Sequence, residues 1–433
     1  MIRFKNVMKL NGKREDLTLP SQQEIIIEGS HLTALPALVD PHVHFRTPGD
    51  AHKEDWKTAG FAAIYGGVTF VCDMPNNRPS ITTIERLREK KKLIDAELKA
   101  VGIPLKYGLY LGADRDHLSE ISKAKGEAVG IKVFMGGSTG DLLLDRDEDL
   151  DEVFKRAAEI DLLVAVHAED EILLQKRKKE FANASDVAFH SIIRNEEVAK
   201  IAVEKAIRLS LKYGTRLYLL HLSTKEEIEL VRWGKKAGAK IFAETTPHHL
   251  FLSTEDYPKY GTLIQMNPPI RDLHHRQALW EALVDGTLDT IGTDHAPHTL
   301  SEKKEPYGKA PSGIPGIDTL LPLLLNAVHE KRLTLQRLVE LTRTNAMKMF
   351  EIPPNDDLVL VDFNLKKPIM EEDVKTKCGW SPYQGWEITG WPLYTLLNGQ
   401  CFSHKRAWER QQLPDCRISN RDGPAAKVSE GKL

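Results

Sequence analysis

Residues Pro36–Asp55 read PALVDPHVHFRTPGDAHKED. A short apolar run, Ala37 to Val39, ends at Asp40-Pro41, and His42 and His44 follow. On an extended backbone, residues i and i+2 point the same way, so both imidazoles reach one spot. Two neutral imidazoles on one face hold a borderline-soft divalent cation such as zinc. The plain alternative is a pair of surface histidines. Arg46 continues the same face and sets a fixed cation beside that spot, which suits a substrate with a carboxylate. Two histidines do not complete a ligand set, so the later chain has to supply the rest.

Working outward, a regular alternation starts at Leu35. Eight apolar, β-rich runs follow: Ala37–Asp40, Val68–Met74, Leu105–Leu111, Val129–Met135, Leu162–His167, Arg216–His221, Lys240–Thr245 and Leu288–Thr293. Between them lie stretches with helical spacing, at Asp55–Tyr65, Ile84–Leu98, Leu150–Ile160, Val187–Leu211, Lys225–Lys236 and Arg276–Val284. Strand–helix alternation implies parallel strands with right-handed crossovers. Eight such units close into a (β/α)8 TIM barrel, an α/β fold. An open doubly wound sheet is the runner-up, disfavoured by the count and by the polar residues that follow so many of the strands.

Before the barrel, Ile2–Met8 and Glu24–Glu28 read as strands, with Asn11-Gly12 as a tight turn. After it come a polar loop, Thr299–Ser312, two apolar helical patterns, Ile317–Val328 and Leu335–Met349, and a strand-like run, Leu358–Phe363. The two ends are expected to join in a small β domain. That divides the chain into 1–34, a barrel over 35–352, and 353–433. Ser403–Leu433 is polar with few apolar anchors and reads as a loosely ordered tail.

The bulk numbers exclude several classes. The chain has 433 residues, 41% hydrophobic and 28% charged, with a net charge of −2. No global field draws it to nucleic acid or an anionic membrane. The basic clusters Arg86–Lys92 and Lys176–Lys179 read as solvated helix faces. Cys72, Cys378, Cys401 and Cys416 are scattered and form no CxxC pair. A reducing, cytoplasmic setting without disulfides is expected. No apolar run is long enough to span a bilayer.

In a barrel, chemistry is built at the C-terminal strand ends. There the sequence puts His42, His44 and Arg46 after strand one, Asn76 after strand two and Lys132 in strand four. His167 and His221 end strands five and six. Asp294 ends strand eight, with His298 four residues on. Singly, each has a bland explanation; the coincidence at equivalent positions does not. Lys132 lies inside an apolar strand, where burial lowers an amine's pKa and favours the neutral form. Beside two cations, that amine can add carbon dioxide and become a bridging carbamate; the alternative is a head group reaching out of the barrel mouth. His248 and His249 read as structural, and His295 as bonded to nearby backbone.

The motifs HxHxR (His42, His44, Arg46), MPNN, IKVFMGGSTG (Ile131–Gly140), HAED (His167–Asp170), HLS (His221–Ser223), TPHHL (Thr246–Leu250), MNPPIR (Met266–Arg271) and TDHAPH (Thr293–His298) resemble those of the dihydroorotases of the amidohydrolase superfamily. The segment KCGWSPYQGWEITGWP (Lys377–Pro392) is similar to theirs too, so the resemblance spans roughly 35–400. It implies two zinc ions. His42, His44 and Asp294 would hold the first, His167 and His221 the second, and carboxylated Lys132 would bridge them. Arg46, Asn76, Asn267 and His298 would bind substrate, with Ser312-Gly313 offering backbone contacts. The implied reaction is reversible cyclisation of N-carbamoyl-L-aspartate to L-dihydroorotate with release of water. The implied agent is a hydroxide bridging the zinc ions, with Asp294 as general acid/base. A homodimer is common among such proteins. The rivals are a hydantoinase, dihydropyrimidinase or allantoinase, and a catalytically dead homologue serving as a partner subunit. Loop Thr299–Ser312 is either a gate over the site or a surface loop.

Overall fold

The computed structural model describes residues 1–138 and 142–404. Four strands open the chain: β1 (Ile2–Lys9), β2 (Arg14–Leu19), β3 (Ile25–Glu28) and β4 (Leu32–Pro36). Eight barrel strands follow: β5 (Leu38–Val43), β6 (Val68–Asp73), β7 (Lys106–Gly112), β8 (Gly130–Phe134), β9 (Val164–His167), β10 (Leu217–Leu219), β11 (Ile241–Thr245) and β12 (Thr290–Ile291). The last three are β13 (Leu358–Pro368), β14 (Glu387–Leu397) and β15 (Gln400–Ser403).

Strands β5 to β12 are neighbours in chain order, and the pairs between them are parallel. The Asp40 side chain and a backbone bond close the seam between β12 and β5. The Asp40 carboxylate accepts from Thr293 N at 3.1 Å and Thr293 Oγ1 at 2.5 Å, and His44 N donates to His295 O at 2.8 Å. The barrel interior packs Cys72, Tyr110, Ala165, Tyr218 and Leu220, with Met349 and Phe350 against them. Cys72 is thus a buried strand residue.

The small sheet runs β15-β14-β13-β4-β1-β2, with β3 also paired to β1. Its central pairing, β4 with β13, joins the two chain ends in antiparallel register, Pro36 opposite Leu358. Ile2, Phe4, Leu32, Leu360 and Tyr394 fill its core. Ala37 alone separates β4 from β5, so one continuous stretch belongs to both sheets.

Several elements depart from the sequence reading. The stretch Val187–Leu211 is two helices, Ala188–Ile193 and Glu196–Tyr213, broken where Asn195 caps the second by accepting from Val198 N at 3.3 Å. The break turns Arg194 inward toward Glu169. The β7–β8 crossover holds irregular 3-10 turns over Arg115–Lys123, where the periodicity marked no helix. The expected polar loop Thr299–Ser312 carries a short capped helix, Leu300–Lys303, with fully buried Lys303. Strands β10 and β12 stop short of His221 and Asp294, because both residues, like Arg46, have positive φ (38°, 45° and 62°) and leave the sheet there. Of the expected tail, 405–433 lies outside the described residues. Among the described residues no helix is long and apolar enough to cross a membrane.

Candidate active site

Nine of the ten residues singled out by sequence line one cavity at the C-terminal mouth of the barrel; the tenth, His298, stands directly behind Arg46. His42 Nε2 and His44 Nε2 lie 3.2 and 3.0 Å from Asp294 Oδ1. The other nitrogen of each ring is held from outside. His42 Nδ1 is 2.8 Å from Glu244 Oε1, and His44 Nδ1 is 2.7 Å from Asn76 Oδ1. Both acceptors place the ring proton on Nδ1 and leave Nε2 bare toward Asp294. Burial drives the His42 and His44 pKa values well down, so both are neutral.

The second pair sits across the mouth. His167 Nδ1 is 2.9 Å from His221 Nε2, and His167 Nε2 bonds Glu169 Oε2 at 2.8 Å. His221 Nδ1 is buried without a partner. The His42 and His221 rings are 5.4 Å apart, so the two pairs share one chamber. Lys132 lies in the same cavity, 1% exposed, with Nζ 4.6 Å from the centre of the Phe134 ring. Burial pulls its pKa down to about 7, against the pull of Asp294 and Glu244. Among the described residues, His42, His44 and Asp294 form a cluster of donors with metal-ligand spacing. Neutral imidazoles with bare nitrogens converging on a carboxylate suit a divalent cation.

Four supporting groups carried no usable signal in the sequence. Glu244, on β11, is completely buried and accepts from His42 Nδ1, from His221 N at 3.1 Å and from the Tyr218 hydroxyl. One carboxylate thus braces both histidine pairs. Burial pushes its pKa up to about 8; a cation in the chamber would favour its ionised form. Gly292 is required opposite it, since a Cβ there would meet Glu244 Oε2 at 2.3 Å and His42 Cβ at 3.0 Å. Glu169 is paired with Arg194, whose Nη2 also donates to Gly137 O at 2.5 Å. This is why the helix breaks at Arg194: the guanidinium anchors both Glu169 and the loop after β8. Asp73 accepts from Phe45 N at 2.7 Å and pairs with buried Lys90 at 2.5 Å, fixing the HxHxR backbone. The HAED motif contains Glu169 and the MPNN motif adjoins Asp73, but pairing across 17 to 202 residues is invisible in the chain.

Arg46 is buried. Its Nε donates to Pro297 O at 3.0 Å, and its Nη2 lies 3.1 Å from His298 Nε2. The C-terminal segment locks this corner: Trp380 Nε1 donates to His298 O at 2.8 Å, and Lys377 Nζ reaches Ala51 O and Asp55. Asn267 Oδ1 is 2.9 Å from His190 Nε2. His249 bridges Thr246 Oγ1 and Pro268 O, and His295 Nδ1 accepts from Gly316 N, so both are structural as read.

A family model described as the amidohydrolase family matches residues 33–356. The chain belongs to the amidohydrolase family. Among curated relatives of this amidohydrolase, the dihydroorotase of Halobacterium salinarum is 36% identical, the match covering 90% of this chain and 92% of the relative. That of Methanosarcina mazei is 34% identical, covering 88% and 86%. Among solved structures, an L-hydantoinase (dihydropyrimidinase) from Arthrobacter aurescens superposes with a TM-score of 0.86 at 27% identity, covering 93% of this chain and 96% of that one. The barrel with its attached sheet is therefore the family's fold.

Proposed function

We propose that this amidohydrolase is a dihydroorotase, catalysing the reversible cyclisation of N-carbamoyl-L-aspartate to L-dihydroorotate with release of water. The observation that carries the choice within the family is Arg46: a buried guanidinium at the cavity wall beside the histidine cluster. A hydantoin ring offers it no anion, whereas both dihydroorotase substrates carry a carboxylate. The dihydroorotase relatives point the same way.

His42, His44 and Asp294 are assigned to one zinc ion and His167 and His221 to a second. Neutral Lys132 would add carbon dioxide at Nζ with loss of a proton, and the carbamate oxygens would serve as further ligands for bound metal. Bound zinc supplies the charge that makes an attacking water acidic and polarises the scissile carbonyl. Arg46 grips the substrate carboxylate with two parallel hydrogen bonds, and Asn76, Asn267 and His298 complete the grip. The Asp294 carboxylate takes the proton of the attacking water and delivers it to the leaving ring nitrogen. In ring closure a proton is consumed, so low pH favours the cyclic product. A cytosolic homodimer, divided at 34 and 352 into barrel and small domain, completes the reading.

The test is metal analysis with a dihydroorotate hydrolysis assay on the wild type and Lys132→Ala, with hydantoin and allantoin as competing substrates. Two zinc per wild-type chain, falling in the variant along with turnover, is expected. Preference for hydantoin would move the assignment to the sister enzymes, and wild type with neither metal nor turnover would support a dead homologue.

A further inference from the structure

Asn267 lines the cavity, yet its amide is held from outside by a residue that the reading above leaves without a role. His190 sits on the short helix Ala188–Ile193 and is buried. Its Nε2 lies 2.9 Å from Met266 O and 2.9 Å from Asn267 Oδ1. Burial, helped by repulsion from Arg194, pulls its pKa down to about 3, so the ring is neutral and carries one proton. A backbone carbonyl can only accept, so that proton is on Nε2. Nδ1 is bare and faces the Tyr307 hydroxyl, 3.5 Å away.

The proton on Nε2 decides which way the amide points. A donor shared between Met266 O and the Asn267 side chain has to meet an oxygen there, because an NH2 group would set two donors face to face. Nδ2 is therefore turned away from His190. Among the described residues no protein group accepts from it, and it is open to the cavity that Asn267 lines. The histidine itself is fixed, because its helix is tied to the same stretch of chain at further points. Ser191 Oγ donates to Ile270 O at 2.7 Å and lies 2.7 Å from the Tyr257 hydroxyl, and Arg271 Nη1 donates to Arg194 O.

We infer that His190 is a positioning residue for substrate binding: it locks the Asn267 amide so that this cavity wall donates to a substrate oxygen and cannot accept from a substrate N–H. This rests on the proposed dihydroorotase reaction, whose two substrates both offer a ureido carbonyl and carboxylate oxygens. Without the lock the amide flips and spends part of its time with its acceptor toward the cavity. A neutral hydrogen bond to the substrate is worth about tenfold in affinity.

A double-mutant cycle on the full-length enzyme tests this. It measures kcat and KM for dihydroorotate hydrolysis in wild type, His190→Leu, Asn267→Ala and the double variant, with metal content and melting curves as controls. His190→Leu is expected to lower kcat/KM about tenfold, chiefly through KM, and to cost nothing further in the Asn267→Ala background. His190→Gln, whose amide can donate from the place of Nε2, is expected to recover to within about threefold of wild type. Single losses that multiply in the double variant, or no recovery in His190→Gln, would mark a merely structural histidine and overturn the inference. Should His190→Leu fail to fold, Asn267→Asp decides the polarity. It keeps the shape and the acceptor for Nε2 but turns a second acceptor toward the cavity, so its kcat/KM is expected to fall below that of Asn267→Ala. A value at or above that of Asn267→Ala overturns the inference. Wild type that opens hydantoin but not dihydroorotate refutes the proposed reaction instead. The same cycle run with hydantoin, which also offers carbonyl oxygens, then decides the role of His190.

Discussion

Glu244 offers the sharpest test of how the site is held. Its Oε1 accepts from His42 Nδ1 at 2.8 Å and His221 N at 3.1 Å, and its Oε2 accepts from the Tyr218 hydroxyl. Glu244→Leu keeps much of the volume and removes every acceptor. Two buried N–H groups are then left unsatisfied, at about 1–3 kcal/mol each. Part of that returns, because burial disfavours the ionised carboxylate and holds its pKa at about 8. The His42 ring also loses the contact that leaves Nε2 bare, and losing such a support typically weakens metal binding by about 10–100-fold. Glu244→Gln separates geometry from charge. Its amide oxygen can keep the place of Oε1, while its NH2 faces Tyr218, whose hydroxyl can turn its proton to Thr290 Oγ1, 2.8 Å away. Zinc affinity by chelator competition and denaturant midpoints of metal-free protein are the assays. Glu244→Leu is expected to lose both zinc affinity and stability, and Glu244→Gln to keep most of each. Wild-type zinc affinity in Glu244→Leu would refute the bracing role, and equal loss in both variants would show that charge rather than hydrogen-bond geometry matters.

Gly292→Ala forces its methyl to 2.3 Å from Glu244 Oε2, and since that carboxylate is tied to three donors, overpacking of about 1–3 kcal/mol and weaker zinc binding are expected; a wild-type melting curve with full zinc content would count against it. Arg46→Lys keeps the charge but loses the fork, so kcat/KM for dihydroorotate should fall about 100-fold or more with zinc content intact, and a loss below threefold would exclude two-pronged carboxylate binding. Glu169 gives a pH signature. Burial alone would raise its pKa, but Arg194 and the His167 hydrogen bond outweigh it and lower the value from 4.5 to about 2. The unfolded chain therefore binds the proton first as pH falls, so this stabilisation is present above about 4.5 and lost toward 2, a gap worth about 3 kcal/mol. Denaturant midpoints between pH 6 and 3 should fall more steeply for wild type than for Glu169→Gln; parallel slopes would contradict the pairing.

The sequence by itself determined the alternation that makes the barrel and the residues at its mouth. Short apolar, β-rich runs marked where the strands lie, and polar residues ending those runs marked His42, His167, His221 and Asp294. Such signals are local, because alternation and strand ends are properties of neighbouring residues. Only the tertiary structure decided how these groups are held. Glu244 reaches back 202 residues to His42, and Arg194 reaches 25 residues to Glu169 by breaking a helix that the hydrophobic pattern ran straight through. The tertiary structure also turned the expected polar loop at Thr299–Ser312 into a capped turn pinned by Lys303, since its polar composition did not reveal which backbone carbonyls would surround the ammonium. A carboxylate on β11 or a lysine after β12 looks like any other charge until the barrel closes and removes water from around it. Burial and pairing are properties of the closed chain, and they separate a solvated charge from one that holds a site together.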